Sequence, residues 1–330
     1  MLSAKRITRT GCAFAGRAAA TRRQANGPGF IANHDITVAM RRRNFVSLPL
    51  AAAPAVAGTL PFRLSVRVEP LFPGLPLADQ IRKVAEAGYQ AFEFGDWRAQ
   101  NPASINALKN RLGLACACIV GNRGVNPVGM GLCNPAEREG FLAEIRASAE
   151  AAVRFETRQI VVLSGFKTKG LTRREQHASI VEGLKRAHDI VAPLDVTMIV
   201  EVINTIAPVE PLNPKGDNHH DYYLDRTAEA FQIVREVGSP FVRILYDIYH
   251  TQIMEGYLIE TIRNNLRDIA HIHVGDVPGR NEPGTGEINF PNVFRAIRDA
   301  GFKGFVAMEY VPARDAMQTL RDVRRMVERL

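Results

Sequence analysis

From Phe62 to the C-terminus, short apolar and β-branched runs alternate with longer stretches of helical periodicity, in which apolar positions recur every three or four residues. The short runs predict strands over 63–68, 91–94, 114–120, 159–163, 197–201, 242–247, 270–274 and 305–309. The longer stretches predict helices over 77–87, 103–111, 135–155, 172–192, 222–237, 257–264, 290–300 and 315–330. Boundary signals agree with this division. Asn134-Pro135 reads as a cap followed by a first-turn proline, and Thr172-Arg-Arg-Glu175 as a capping box. Gly88, Gly113, Gly238 and Gly301 each fall between a helix and a strand, where a left-handed cap is wanted. The phrases AEAGYQAFEF and RDAGFKGFVAMEY repeat the same helix, glycine, aromatic, strand order. Eight strand–helix pairs in about 270 residues predict an α/β fold, a single (β/α)8 barrel. An open doubly wound sheet is the alternative, weakened because no G-x-G-x-x-G follows the first strand; Gly284-Thr285-Gly286 is neither that motif nor a phosphate loop.

Composition changes this picture little, but charge changes it in one place. The 330 residues are 46% hydrophobic and 23% charged, as in an ordinary globular chain with no purely apolar run long enough for a membrane helix. The net charge of +8 invites a nucleic-acid reading, yet it resides in residues 1–57, which hold nine of the 42 basic residues and one of the 34 acidic ones. The remaining 33 basic and 33 acidic residues cancel, so the folded body has no global field to draw in a polyanion, and no nucleic-acid partner is expected.

Residues 40–57 read as an export signal: Arg41-Arg42-Arg43, a short Ala-rich apolar stretch from Leu48, then Ala55-Val56-Ala57. Arg42-Arg43-Asn44-Phe45-Val46 resembles the bacterial twin-arginine motif, a route that carries folded cargo. The expectation is a cleavable leader over 1–57, with 1–39 an upstream extension before Met40 and the barrel domain over 58–330. It implies export to a bacterial periplasm and no membrane association once the leader is removed. Cytoplasmic retention and a mitochondrial transit peptide are the alternatives, the latter because residues 1–34 are Arg-rich and lack acids.

Cys116, Cys118 and Cys133 read as small buried hydrophobes; Cys116 and Cys118 lie two apart on one strand, poorly spaced for a disulfide. The chemistry lies elsewhere. Chemistry in such barrels sits at the carboxyl ends of the strands, and the last four strands end on Glu201, Asp247, His273 and Glu309. Their separations of 46, 26 and 36 residues each suit one strand–helix unit, so the four can converge. Three carboxylates and one imidazole suit one hard to borderline divalent ion, Mn²⁺ or Mg²⁺ first and Co²⁺ also. Without a cation, carboxylates facing one another would repel. A charged residue where the chain leaves the core is the bland alternative for any one of them; four in succession argue for function.

Further polar groups follow these ends. Arg280, in the loop after His273, can fork onto a substrate carboxylate or hydroxyls, and His250 can bond a substrate oxygen. His271 is read as pointing opposite to His273 and structural, Glu93 as a core-edge or supporting residue. His219-His220 lie in the long loop 204–221, a candidate lid.

The stretches VEVINT (200–205), YDIYHTQIMEG (246–256) and HIHVGDVPGRNEPGTGEINF (271–290) resemble the hydroxypyruvate isomerase family, one of the xylose-isomerase-like barrels, with the sugar 3-epimerases as relatives. The resemblance runs from about Phe62 to Pro312. It implies a (β/α)8 barrel with one divalent metal on Glu201, Asp247, His273 and Glu309, the two glutamates doubling as acid and base. His250 and Arg280 match substrate-contacting positions of the epimerases. The implied reaction interconverts hydroxypyruvate and 2-hydroxy-3-oxopropanoate, with a 2-oxo acid or sugar as the small-molecule partner. His273 stands where bacterial members of the family commonly carry Gln, so a ketose 3-epimerase or other sugar or sugar-acid isomerase is the alternative. A metal-dependent endonuclease and an exported binding protein without catalysis are further alternatives. The sequence leaves the oligomeric state open, a homo-oligomer included.

Overall fold

The computed structural model describes residues 60–123, 131–208, 211–212 and 219–330. The expected leader, 1–57, and the boundary at 58 lie outside the described residues. Eight parallel strands close into a barrel in sequence order: β1 (Arg63–Arg67), β2 (Ala91–Phe94), β3 (Ala115–Val120), β4 (Gln159–Val162), β5 (Thr197–Glu201), β6 (Val242–Asp247), β7 (Ile269–Val274) and β8 (Phe305–Met308), with β8 pairing back onto β1. This is the expected (β/α)8 architecture.

The boundary chemistry behaves as the sequence suggests. The Asn134 side chain accepts from the Ala136 N–H at 3.1 Å. Thr172 Oγ1 accepts from the Glu175 N–H at 3.2 Å while Glu175 Oε2 accepts from the Thr172 N–H at 2.7 Å, closing the capping box over Arg173–Val191. Gly113 and Gly238 take φ of +69° and +68° at the ends of Pro102–Leu112 and Thr227–Val237, conformations that would strain a residue with a Cβ.

One expected helix is shortened and two brief helices are added. The helix expected over 222–237 begins only at Thr227. Tyr222 instead pairs with Phe166 in an antiparallel bridge, the Tyr223 N–H donates to Gly165 O and the Leu224 N–H to Ser164 Oγ. These backbone groups are satisfied by the loop after β4, so the apolar side chains pack there rather than in a helical turn. Short helices at Val68–Leu71 and Ile248–Met254, directly after β1 and β6, are too brief for a periodic signal.

The main core lies between the barrel and its helices, as with Phe290 and Phe294, both fully buried with ring centroids 5.4 Å apart. A separate small cluster of Ala91, Ala117 and Phe305, against which Ala115 packs, lies on the inward-facing rows of their strands. Cys116, Cys118 and Cys133 are buried free thiols, as expected. No described helix is long and apolar enough to cross a membrane.

Candidate metal centre

The four strand-end residues meet. One ligand atom from each of Glu201, Asp247, His273 and Glu309 lies within 4.8 Å of the others, and all four residues are buried. Asp247 and His273 are ladder partners on β6 and β7, and Glu309 follows the last residue of β8. His273 Nδ1 is 2.8 Å from Glu309 Oε2, 3.8 Å from Glu201 Oε1 and 3.9 Å from Asp247 Oδ2. Asp247 also caps Ile248–Met254, its Oδ1 accepting from the N–H of Tyr249 at 2.7 Å and of His250 at 3.2 Å. That fixes the carboxylate and leaves Oδ2 for the cluster.

Glu93, at the third position of β2, sits beneath His273. Its Oε1 is 2.8 Å from His273 Nε2 and its Oε2 is 2.9 Å from His271 Nε2. Cys118 Sγ donates to Oε2 at 3.2 Å. His271 is therefore not turned away from His273. Residues two apart on a strand share a face, and the two rings stand 5.1 Å apart, both directed into the barrel. The expectation for His271 fails on that alternation, whereas Glu93 has the supporting place read for it. The same period-of-two argument, applied to Ala91-Phe-Glu93 and His271-Ile-His273 together, would have found this pair of contacts.

Burial and mutual charge set the protonation of the cluster. Burial lowers the His273 pKa, but the carboxylates of Glu309 and Glu93 outweigh it and raise the pKa well above the usual imidazole value. Burial raises Glu309 and Glu93, but the charge on His273, joined by Arg280 for Glu309 and by His271 for Glu93, holds both below the ordinary carboxylate range. Glu201 goes the other way: burial raises it, and Glu309 and Asp247 add to the rise. Asp247 is raised chiefly by burial, against the pull of Arg280.

Arg280 enters the site, but its guanidinium faces the cluster itself. Nη2 donates to Asp247 Oδ2 at 2.7 Å and to Glu309 Oε2 at 2.5 Å, and Nη1 lies 3.2 Å from His250 Nε2. Its backbone adopts φ of +51°, unusual for a side-chain-bearing residue. His250 is buried, with Nδ1 2.7 Å from Asn204 Nδ2. Asn204 was not singled out by sequence; it stands three residues beyond Glu201 and orients His250. His219 comes within 6.4 Å of His250, ring to ring, while His220 Nδ1 contacts Thr205 O at 2.9 Å. Residues 209–210 and 213–218 of the candidate lid lie outside the described residues.

The donor set fits a divalent ion. Ligand atoms within 4.8 Å of one another match those sharing one ion at metal–ligand distances of about 2.0–2.6 Å. His273 Nδ1 is buried yet makes no contact of hydrogen-bond geometry, despite its nearness to Glu309. Once His273 gives up its proton, Nδ1 offers a lone pair among three carboxylates, as a cation requires.

Comparison with known proteins agrees with the fold. The model of the xylose isomerase-like TIM barrel family matches residues 81–329. A Homo sapiens protein provisionally named hydroxypyruvate isomerase is 32% identical over 277 residues, covering 80% of this chain and 95% of the relative. The hydroxypyruvate isomerase of Escherichia coli K12 is 29% identical over 261 residues, covering 76% and 93%. Among solved structures, a Brucella melitensis protein described as an AP endonuclease of family 2 superimposes with a TM-score of 0.71 at 26% identity, covering 80% of this chain and 98% of that one. The chain thus belongs to the xylose isomerase-like TIM barrel family and, within it, to the hydroxypyruvate isomerase family of isomerases.

Proposed function

We propose that this chain is a metal-dependent isomerase interconverting hydroxypyruvate and 2-hydroxy-3-oxopropanoate. The observation that carries the reading is the convergence of Glu201, Asp247, His273 and Glu309 at the barrel mouth. The names of the human and bacterial relatives point to the same substrate. Mn²⁺ or Mg²⁺ suits three carboxylates and an imidazole, with Co²⁺ also accommodated. An endonuclease reading would need a surface for a polyanion, and the residues beyond 57 carry no net charge to supply one.

The reaction moves one hydrogen between neighbouring carbons without net oxidation. The C3 hydrogen leaves as a proton, C2 receives one, and the hydroxyl proton passes from the oxygen on C3 to the oxygen on C2. When bound, a divalent ion supplies positive charge against the negative charge that develops on those oxygens. Glu309, held ionised by His273 and Arg280, takes the C3 proton. Glu201, raised by burial and by its acidic neighbours, delivers the proton to C2. Two carboxyl groups whose surroundings push their pKa values apart are suited to opposite roles. His250, 3.2 Å from Arg280, is placed to bond a reacting oxygen, while Arg280 positions the carboxylates of Asp247 and Glu309.

Solvent deuterium incorporation tests the reading. With Mn²⁺, the full chain incorporates label at a carbon-bound position of hydroxypyruvate, and Glu309→Gln loses at least about 10²-fold in rate while keeping its fold. Near-normal exchange by Glu309→Gln would eliminate the two-glutamate scheme.

A further inference from the structure

The site already buries four carboxylates, those of Glu93, Glu201, Asp247 and Glu309. A 2-oxo acid brings a fifth, and that group needs a cation not already engaged. Arg280 does not offer one: Nη2 serves Asp247 and Glu309, Nη1 faces His250, and Nε lies 3.4 Å from Glu309 O.

Arg67 does. It is the last residue of β1 and the ladder partner of Glu93. Two residues earlier, Ser65 pairs with Ala91 on one side and Ala307 on the other. The two-residue alternation therefore sets Arg67, Glu93 and Glu309 in one inward-facing row at the mouth. Nε of Arg67 lies 2.9 Å from Glu69 Oε2, and Glu69 is itself anchored by the Gly95 N–H at 2.5 Å. Among the described residues Glu69 is its one ion-pair partner, with Nε making the closest approach, and the Arg67 side chain keeps 18% of its surface exposed. Gly95 makes room for it: a Cβ there would fall 2.5 Å from Arg67 Nη2. Burial works against the Arg67 charge, but Glu69, Glu309 and Glu93 overcome it and raise its pKa, so the guanidinium is permanently charged and within the field of the cluster.

We propose that Arg67 forms an anion subsite beside the reacting centre, its two terminal nitrogens receiving the substrate carboxylate and selecting a 2-oxo acid over a neutral ketose of equal size. Glu69 holds the Nε edge so that the forked Nη edge is presented, the geometry suited to a carboxylate. The proposal rests on the isomerase reading for the identity of the acid, but not for the presence of the subsite.

Hydroxypyruvate and dihydroxyacetone differ by a carboxylate against a hydroxymethyl group and so isolate this contact. Both are titrated calorimetrically into the Mn²⁺-loaded full chain, with deuterium exchange followed in parallel. The wild-type chain prefers hydroxypyruvate. In Arg67→Met that preference falls about 10- to 100-fold, through weaker hydroxypyruvate binding, as expected for a lost charge-assisted hydrogen bond. Arg67→Lys keeps part of it, because a point charge replaces the fork. Gly95→Ala reproduces the loss in direction with Arg67 intact, since the new methyl displaces the guanidinium. Unchanged melting curves establish that each variant is folded. Equal weakening of both ligands, an unchanged preference in Arg67→Met, or a wild-type chain that binds neither ligand would each overturn the proposal. A wild-type preference that depends on Arg67, without deuterium exchange, keeps the subsite and removes the isomerase reading. Exchange with a preference indifferent to Arg67 does the reverse.

Discussion

Glu93→Gln isolates the support beneath the proposed ligands. Glu93 is fully buried, 2.8 Å from His273 and 2.9 Å from His271, and is held ionised by them. Glutamine keeps the shape but removes the charge. Breaking one partner of a buried pair costs about 3–5 kcal/mol when the other charge is stranded. Here His273 keeps Glu309 at 2.8 Å and can shed its proton, which limits the loss to the lower end, about 3 kcal/mol. For a domain of this size that is a fall in Tm of about 6–12 °C. Thermal and urea unfolding of the metal-free chain, followed by circular dichroism, measure it. Mn²⁺ affinity falls as well, by about 10- to 100-fold, because the imidazole loses the group that orients it. A Tm within about 2 °C of wild type would refute the reading of Glu93 and His273 as a buried charged pair.

Three further outcomes follow from the same geometry. His273 and Glu201 both have raised pKa values, so Mn²⁺ binding must displace protons; affinity rises with pH through the neutral range and calorimetry in buffers of differing ionisation enthalpy counts the release, whereas a pH-independent affinity contradicts it. In the metal-free chain the raised groups contribute stability that is lost as pH climbs, from about 4.5 for Glu201 and from about 6.5 for His273. The lowered Glu93 and Glu309 contribute stability lost as pH falls below about 4.5, so these groups together favour a mildly acidic optimum, read from Tm against pH and flattened by saturating Mn²⁺. Thr172→Ala removes half the capping box and costs about 1 kcal/mol in urea unfolding without altering Mn²⁺ affinity.

Much of this was legible in the sequence because a parallel barrel has strict rules. Strands covered on both sides read as short apolar runs, and β2, β5 and β6 begin and end where the pattern places them. The apolar run stops where the strand emerges at the mouth, so Glu201, Asp247, His273 and Glu309 stood out. The failures have physical causes. Residues 222–226 are apolar enough for a helix, but the hydrogen bonds of Tyr222, Tyr223 and Leu224 are taken by the loop after β4, which no local pattern reveals. His271 shares a face with His273 because alternate strand residues point the same way, so the expected opposite orientation fails. Arg280 lies where it was sought, yet its engagement by Asp247 and Glu309 depends on contacts 33 and 29 residues away in sequence. Arg67 drew no notice because an arginine ending a first strand resembles any charged exit from a core.

The central claim is that one divalent ion is shared by four side chains from four successive strands. Crystals grown with Mn²⁺ and measured at its absorption edge address it directly. A single strong anomalous peak is expected within about 2.0–2.6 Å of Glu201, Asp247, His273 Nδ1 and Glu309. A peak held by other residues, or a cluster that stays metal-free at saturating Mn²⁺ with Arg280 still bridging Asp247 and Glu309, would contradict it.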